Sequence, residues 1–166
     1  MILRYLPKRF SERPSDFFVV KALSQDMHEY QVRVDWTRDR LGELVIEGKP
    51  KVQVAPPPEF DGPTGIMTPE DMFVAAASAC FMTTFITFSK KIRFDFKSFS
   101  CQGVGTLQKL EKGYEFTKLV LKTKVTVGSE DIKQKAERAL ELAGKYCLVS
   151  NSMKCPVEHE NTVVVK

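Results

Sequence analysis

Thr68-Pro69-Glu70-Asp71-Met72-Phe73-Val74-Ala75-Ala76-Ala77-Ser78-Ala79-Cys80-Phe81-Met82-Thr83-Thr84-Phe85-Ile86-Thr87-Phe88 opens as a helix and stays small or apolar for the rest of its length. Threonine can cap a helix, proline suits the first helical position, and the two acids complement the helix dipole. From Met72 to Phe88 there is no polar stripe to face water. A helix of that kind is expected to be covered on every side. It is a poor membrane span, because Ser78, Thr83, Thr84 and Thr87 dilute it and it falls short of the roughly 20 residues a span needs. The run therefore predicts a central core helix, covered in part by a second subunit.

Upstream, Tyr30, Val32, Val34 and Trp36 alternate with Gln31, Arg33 and Asp35. Period two predicts a half-buried strand. Thr37-Arg38-Asp39-Arg40 is a polar turn, Leu41 to Ile46 a return strand, and Lys49 to Ala55 a third. Pro56-Pro57-Pro58 ends that strand, since proline cannot donate to a ladder, and residues 56–67 read as a loop. Downstream, Phe94 to Gly105 and Tyr114 to Val127 alternate again, with Gly113 in the turn between them. Ser129 marks the start of a second helix, and Ile132, Ala136, Leu140, Ala143 and Cys147 share one of its faces. Leu148 to Lys154 reads as a short helical turn, and Thr162 to Val165 as a last strand. Grouped strands with two interspersed helices predict an α+β fold.

The 166 residues fit one compact unit. Residues 1–26 mix basic residues, two prolines and the apolar run Phe17-Phe18-Val19-Val20, and are read as an N-terminal arm ahead of a domain over 27–166. A net charge of +4 arises from bases interspersed with acids, as in Lys133 to Arg138. That is a solvated surface, and it argues against a nucleic-acid partner. Pro7, Lys8 and Arg9 interrupt the apolar start, so no secretory leader is expected. The expected compartment is the reducing cytoplasm, where cysteines are more often reactive than structural.

Of the four cysteines, Cys80 lies within the core helix and Cys147 at the end of the second helix. Taken alone, each can be a small core hydrophobe. Cys101 sits on a strand and Cys155 precedes a proline, and neither has a charged neighbour in sequence to activate it. Cys147, Cys155 and His159 do not follow a standard zinc spacing, so no metal is expected. Gly103-Val104-Gly105 lacks the third glycine and following helix of a phosphate loop, and no cofactor is expected. His28 and His159 stand isolated at strand positions.

Two segments carry a family resemblance. Pro69-Glu70, the run of small and apolar residues after them, and Cys80 ten positions beyond the glutamate resemble the first signature of the OsmC/Ohr family. Cys147-Leu148-Val149-Ser150-Asn151-Ser152-Met153 resembles the second. The resemblance spans about Tyr30 to Lys166. It implies antiparallel sheets wrapped around a buried central helix in an intertwined homodimer, with two active sites at the dimer interface. It also implies reduction of organic hydroperoxides. In the chemistry so implied, Cys80 would attack the O–O bond, Cys147 would resolve the resulting sulfenic acid as a disulfide, and an external dithiol would reduce that disulfide.

The attacking sulfur must be a thiolate, and burial opposes this, so a nearby cation is needed. In one branch of the family an arginine of the first hairpin serves, oriented by the signature glutamate. Here those residues are Arg38, with Arg40 two positions away, and Glu70. Ten residues of helix separate Glu70 from Cys80 by about 15 Å at a rise of about 1.5 Å each. Glu70 is therefore expected to act through the arginine, or on Cys80 of the other subunit. Phe73, Phe81 and Met82 are expected to form an apolar entrance that favours bulky organic peroxides. The competing reading is a binding or sulfur-carrier protein on the same fold.

Overall fold

The computed structural model describes residues 27–166; the arm expected over 1–26 lies outside them. The elements are β1 (Arg33–Arg38), β2 (Leu41–Val45), β3 (Val52–Val54), α1 (Pro69–Ile92), β4 (Ser98–Leu110), β5 (Gly113–Val127), α2 (Glu130–Tyr146), the short turn α3 (Leu148–Asn151) and β6 (Val157–Val165). The α+β order expected from the sequence holds, with boundaries displaced by a few residues.

The start of α1 follows from its first four residues. The Thr68 hydroxyl accepts from the Asp71 N–H at 3.0 Å, and the Asp71 carboxylate accepts from the Thr68 N–H at 3.0 Å. This reciprocal capping box satisfies two otherwise orphaned donors. At the other end Lys90 and Lys91 complement the dipole, and Arg93 turns the chain out at φ 60°.

β1, β2 and β3 form one antiparallel sheet, with a register shift between Trp36 and Arg38 at the hairpin. β4, β5 and β6 form the second. β4 and β5 are antiparallel across Gly113, whose φ of 129° suits the tight turn. β6, however, pairs parallel to β5, from Leu119 opposite Val157 to Val127 opposite Val165. The antiparallel expectation is not met at this one edge because the 17 residues of α2 run about 25 Å back along the sheet and return the chain beside Leu119, so that β6 sets off in the direction of β5. The parallel pairing also lengthens the last strand back to Val157.

One face of α1 packs on the second sheet. Ala77, Phe81 and Phe85 are fully buried among Leu119, Leu121, Val125 and Val127, with Ala136, Ala139, Leu140 and Ala143 of α2 closing the cluster. Phe85 sits in a group of rings, with centroids 6.1 Å from Phe94, 5.1 Å from Phe96 and 5.1 Å from Phe99. Glycines let α1 and β4 approach. A Cβ on Gly103 would lie 2.5 Å from the Ser78 hydroxyl oxygen and 2.6 Å from Val74 Cγ1.

The expectation of a helix covered on every side is not met within one chain. Ala75, Ala76, Ala79, Met82, Thr83 and Thr87 are exposed on the opposite face of α1. β1 is equally bare, with Val34 and Trp36 exposed, the latter at 75%, and Val32 just before it exposed as well. Both faces are small or apolar, which is why composition alone reads them as buried.

Candidate active site

Cys80 is partly exposed near the middle of α1, whereas Cys147 is fully buried at the junction of α2 and α3. The two thiols are neighbours. Burial pushes the Cys147 thiol above its ordinary pKa, the Ser150 hydroxyl and N–H pull it back, and the adjacent Cys80 thiol adds to the rise. Desolvation disfavours a thiolate, and a second thiol that can ionise beside it does so again. Ser150 donates to the Cys147 sulfur at 3.2 Å. The hydroxyl of Thr84, one turn after Cys80, lies 4.0 Å from the Cys80 sulfur, and Thr84 and Thr83 both donate to the Cys80 carbonyl, at 2.8 and 3.0 Å.

Cys80 opens onto a pocket of about 630 Å³. Thr83, Thr84 and Thr87 form its polar edge, Phe88, Leu142, Tyr146 and Leu148 its apolar wall, and Lys91 its far end. The expected entrance of Phe73, Phe81 and Met82 is not what lines it. Phe81 is fully buried, and Phe73 stacks on Phe116 at 4.6 Å; of the three only Met82 is exposed. Sequence neighbours of Cys80 point around the helix, and the wall comes instead from one and two turns further along it, from α2 and from Leu148 at the start of α3.

Glu70 lies in the first turn of α1. Its Oε2 is buried without a hydrogen-bond partner. Glu70 and Arg40 line a shared pocket of about 650 Å³ with Trp36, Leu41 and Phe60. Arg38 ends β1, is exposed, and does not line that pocket. One chain therefore sets Cys80 beside Cys147 and places Glu70 and Arg40 on the wall of one pocket without an ion pair between them, with ten residues of helix between Glu70 and Cys80.

Two residues near the thiols have contacts that the sequence does not assign them. Ser150 follows Cys147 by three positions, the spacing that turns a helical side chain back onto its predecessor. His159 reads in the sequence as an isolated strand residue and a poor zinc ligand, yet its ring stacks on Phe81. Among the described residues no three His, Cys, Asp or Glu side chains are placed to share a metal ion.

Residues 62–161 match the family model of OsmC-like proteins. The uncharacterized protein YmaD of Bacillus subtilis (strain 168) is 21% identical over 143 residues, which cover 84% of this chain and 95% of that protein. An OsmC-like protein of unknown function from Vibrio cholerae superposes with a TM-score of 0.74 at 28% identity, covering 82% of this chain and all of that one. The organic hydroperoxide resistance protein OsmC of Legionella pneumophila superposes with a TM-score of 0.66 at 23% identity, covering 84% of this chain and all of its own.

Proposed function

The chain belongs to the family of OsmC-like proteins, and from that premise we propose that it is a cysteine-based peroxidase that reduces organic hydroperoxides. The observation that carries the reading is the asymmetry of the two neighbouring thiols. Cys80 faces a pocket and Cys147 is buried. A peroxide entering the pocket reaches Cys80 first. Burial keeps Cys147 protonated, which suits a sulfur that waits for a second step.

The chemistry balances as follows. The Cys80 thiolate attacks the peroxide oxygen distal to the organic group, the O–O bond breaks, and the alkoxide takes a proton and leaves as an alcohol. Cys80 is now a sulfenic acid. The Cys147 sulfur attacks it, an S–S bond forms, and water leaves. An external dithiol donates two electrons and two protons to restore both thiols. No metal or organic cofactor takes part. The apolar wall of Phe88, Leu142, Tyr146 and Leu148 favours substrates with an organic group over hydrogen peroxide.

A thiolate in this setting needs a cation. The hairpin that carries Arg38 and Arg40 is its source in this reading, oriented by Glu70. Arg40 is the stronger of the two, because it shares a pocket with Glu70, whose Oε2 is buried without a partner. About 15 Å of helix separates Glu70 from Cys80 within one chain, so the glutamate and arginine serve Cys80 of a second copy. The bare small-residue face of α1 and the exposed apolar face of β1 favour that homodimer, since each would be covered by it. The protein works in a reducing cytoplasm, where its thiols are recycled.

The test is steady-state consumption of cumene hydroperoxide and hydrogen peroxide with a dithiol reductant, comparing wild type with Cys80→Ser and Cys147→Ser. Preference for the organic peroxide, abolished by Cys80→Ser, supports the reading. A wild-type protein that turns over neither peroxide overturns it.

A further inference from the structure

His159 rises from the inner face of β6 and touches both cysteine-bearing helices. Its ring stacks on Phe81 of α1, with centroids 4.7 Å apart and planes inclined by 24°. On the other side it meets α2 at Gly144, where an added Cβ would lie 3.2 Å from both Cδ2 and Nε2 of the imidazole. Phe81 follows Cys80, and Gly144 precedes Cys147 by three residues. The imidazole is thus a flat spacer between the two helical turns from which the thiols project.

We propose that His159 is a positioning residue for the thiol pair: the Phe81–His159–Gly144 stack sets the separation of α1 and α2 and so holds Cys147 within reach of Cys80. This rests on the peroxidase reading, in which those two sulfurs must join. Disulfide geometry is narrow, with Cα atoms 4.4–6.8 Å apart, so a small change in helix separation is felt directly as lost reach. Interiors are packed too densely for a gap beside Gly144 to remain without movement of one helix.

The ring does this without a hydrogen-bond network. Its Nδ1 is buried and has no partner, and burial holds its pKa below the ordinary histidine range, so at neutral pH it is an uncharged plate. Glu158 and Glu160, its neighbours on β6, are exposed and pair with Lys118 and Lys122. A histidine whose Nδ1 is buried without a partner, yet whose ring fills a contact that Gly144 leaves open, is placed there for its shape.

The experiment is equilibration of the full-length protein with oxidised and reduced glutathione at neutral pH, followed by thiol trapping and intact mass. One oxidised glutathione is reduced to two thiols as the Cys80–Cys147 bond forms. The readout is the effective concentration of one thiol toward the other, measured where urea titration shows each variant fully folded. His159→Ala is expected to lower it by about tenfold or more, within the roughly hundredfold that a misplacement of about 1 Å can cost. A tenfold change corresponds to about 30 mV in the reduction potential of the pair. His159→Phe, which keeps a flat ring in the stack, is expected to remain near wild type. Gly144→Ala crowds the same contact from α2 and is expected to shift the potential even though alanine favours the helix. A wild-type disulfide with unchanged potential in folded His159→Ala and Gly144→Ala overturns the positioning role and leaves the peroxidase reading intact. A wild-type protein that forms no Cys80–Cys147 disulfide overturns both.

Discussion

The hydroxyl of Ser150 donates to the buried sulfur of Cys147 at 3.2 Å, one helical turn back along the chain. It offsets part of the desolvation that pushes the Cys147 thiol up. A hydrogen bond to a charged group contributes about 1.5–3 kcal/mol, so its loss falls mainly on the ionised form. Ser150→Ala is expected to slow closure of the disulfide about tenfold while leaving the initial attack on peroxide unchanged. The Cys80 sulfenic acid then persists. Dimedone labelling after one equivalent of peroxide measures this directly: the variant labels more heavily and for longer than wild type.

The close approach of α1 to β4 gives a stability test. A methyl group at Gly103 would meet Ser78 and Val74 at under 3 Å, and overpacking of this kind costs about 1–3 kcal/mol. Gly103→Ala is expected to shift the urea midpoint by that amount. Phe85→Ala removes a fully buried ring that packs against three others and is expected to cost about 3–5 kcal/mol.

How far the sequence could be read depended on whether the determining contact was local. The start of α1 was legible because Thr68, Pro69 and Asp71 act on one another within a single turn. The Gly113 hairpin was legible for the same reason. The parallel pairing of β6 was not, because the residue pattern along Val157 to Val165 carries no direction; the crossover through α2 decides it. Cys80 and Cys147 were legible through two family signatures, not through their surroundings, which look inert. The wall of the pocket was misread because residues adjacent in sequence to Cys80 point in different directions around a helix. Arg40 sharing a pocket with Glu70 is a tertiary fact that no spacing encodes.

The buried imidazole gives a pH test. His159 in the unfolded chain takes up a proton near the ordinary histidine value of about 6.5, whereas in the fold burial holds its pKa lower. Below the ordinary value the unfolded state binds the extra proton, so stability is present above that pH and is lost as pH falls toward and through the folded pKa. Urea unfolding between neutral pH and pH 5 is expected to show this loss in wild type, and a shallower one in His159→Phe, which cannot take up the proton.

The two hairpin arginines are separable by kinetics. Arg40→Met is expected to lower kcat/KM for cumene hydroperoxide by at least about tenfold, within the range of an electrostatic contribution to an activated nucleophile. Arg38→Met is expected to have the smaller effect, because Arg38 lies outside the pocket that Arg40 shares with Glu70. Glu70→Gln is expected to follow Arg40→Met, with a double variant no worse than either alone.

The central claim, that peroxide is attacked at Cys80 and the product resolved by Cys147, is tested most directly in a single turnover. The reduced protein is treated with one equivalent of cumene hydroperoxide and its intact mass and peptide map are recorded. The expected result is loss of two hydrogens and a Cys80–Cys147 linked peptide, with Cys147→Ser instead gaining one oxygen on Cys80. A protein that keeps its reduced mass, or that acquires oxygen on Cys101 or Cys155 while Cys80 stays reduced, would contradict it.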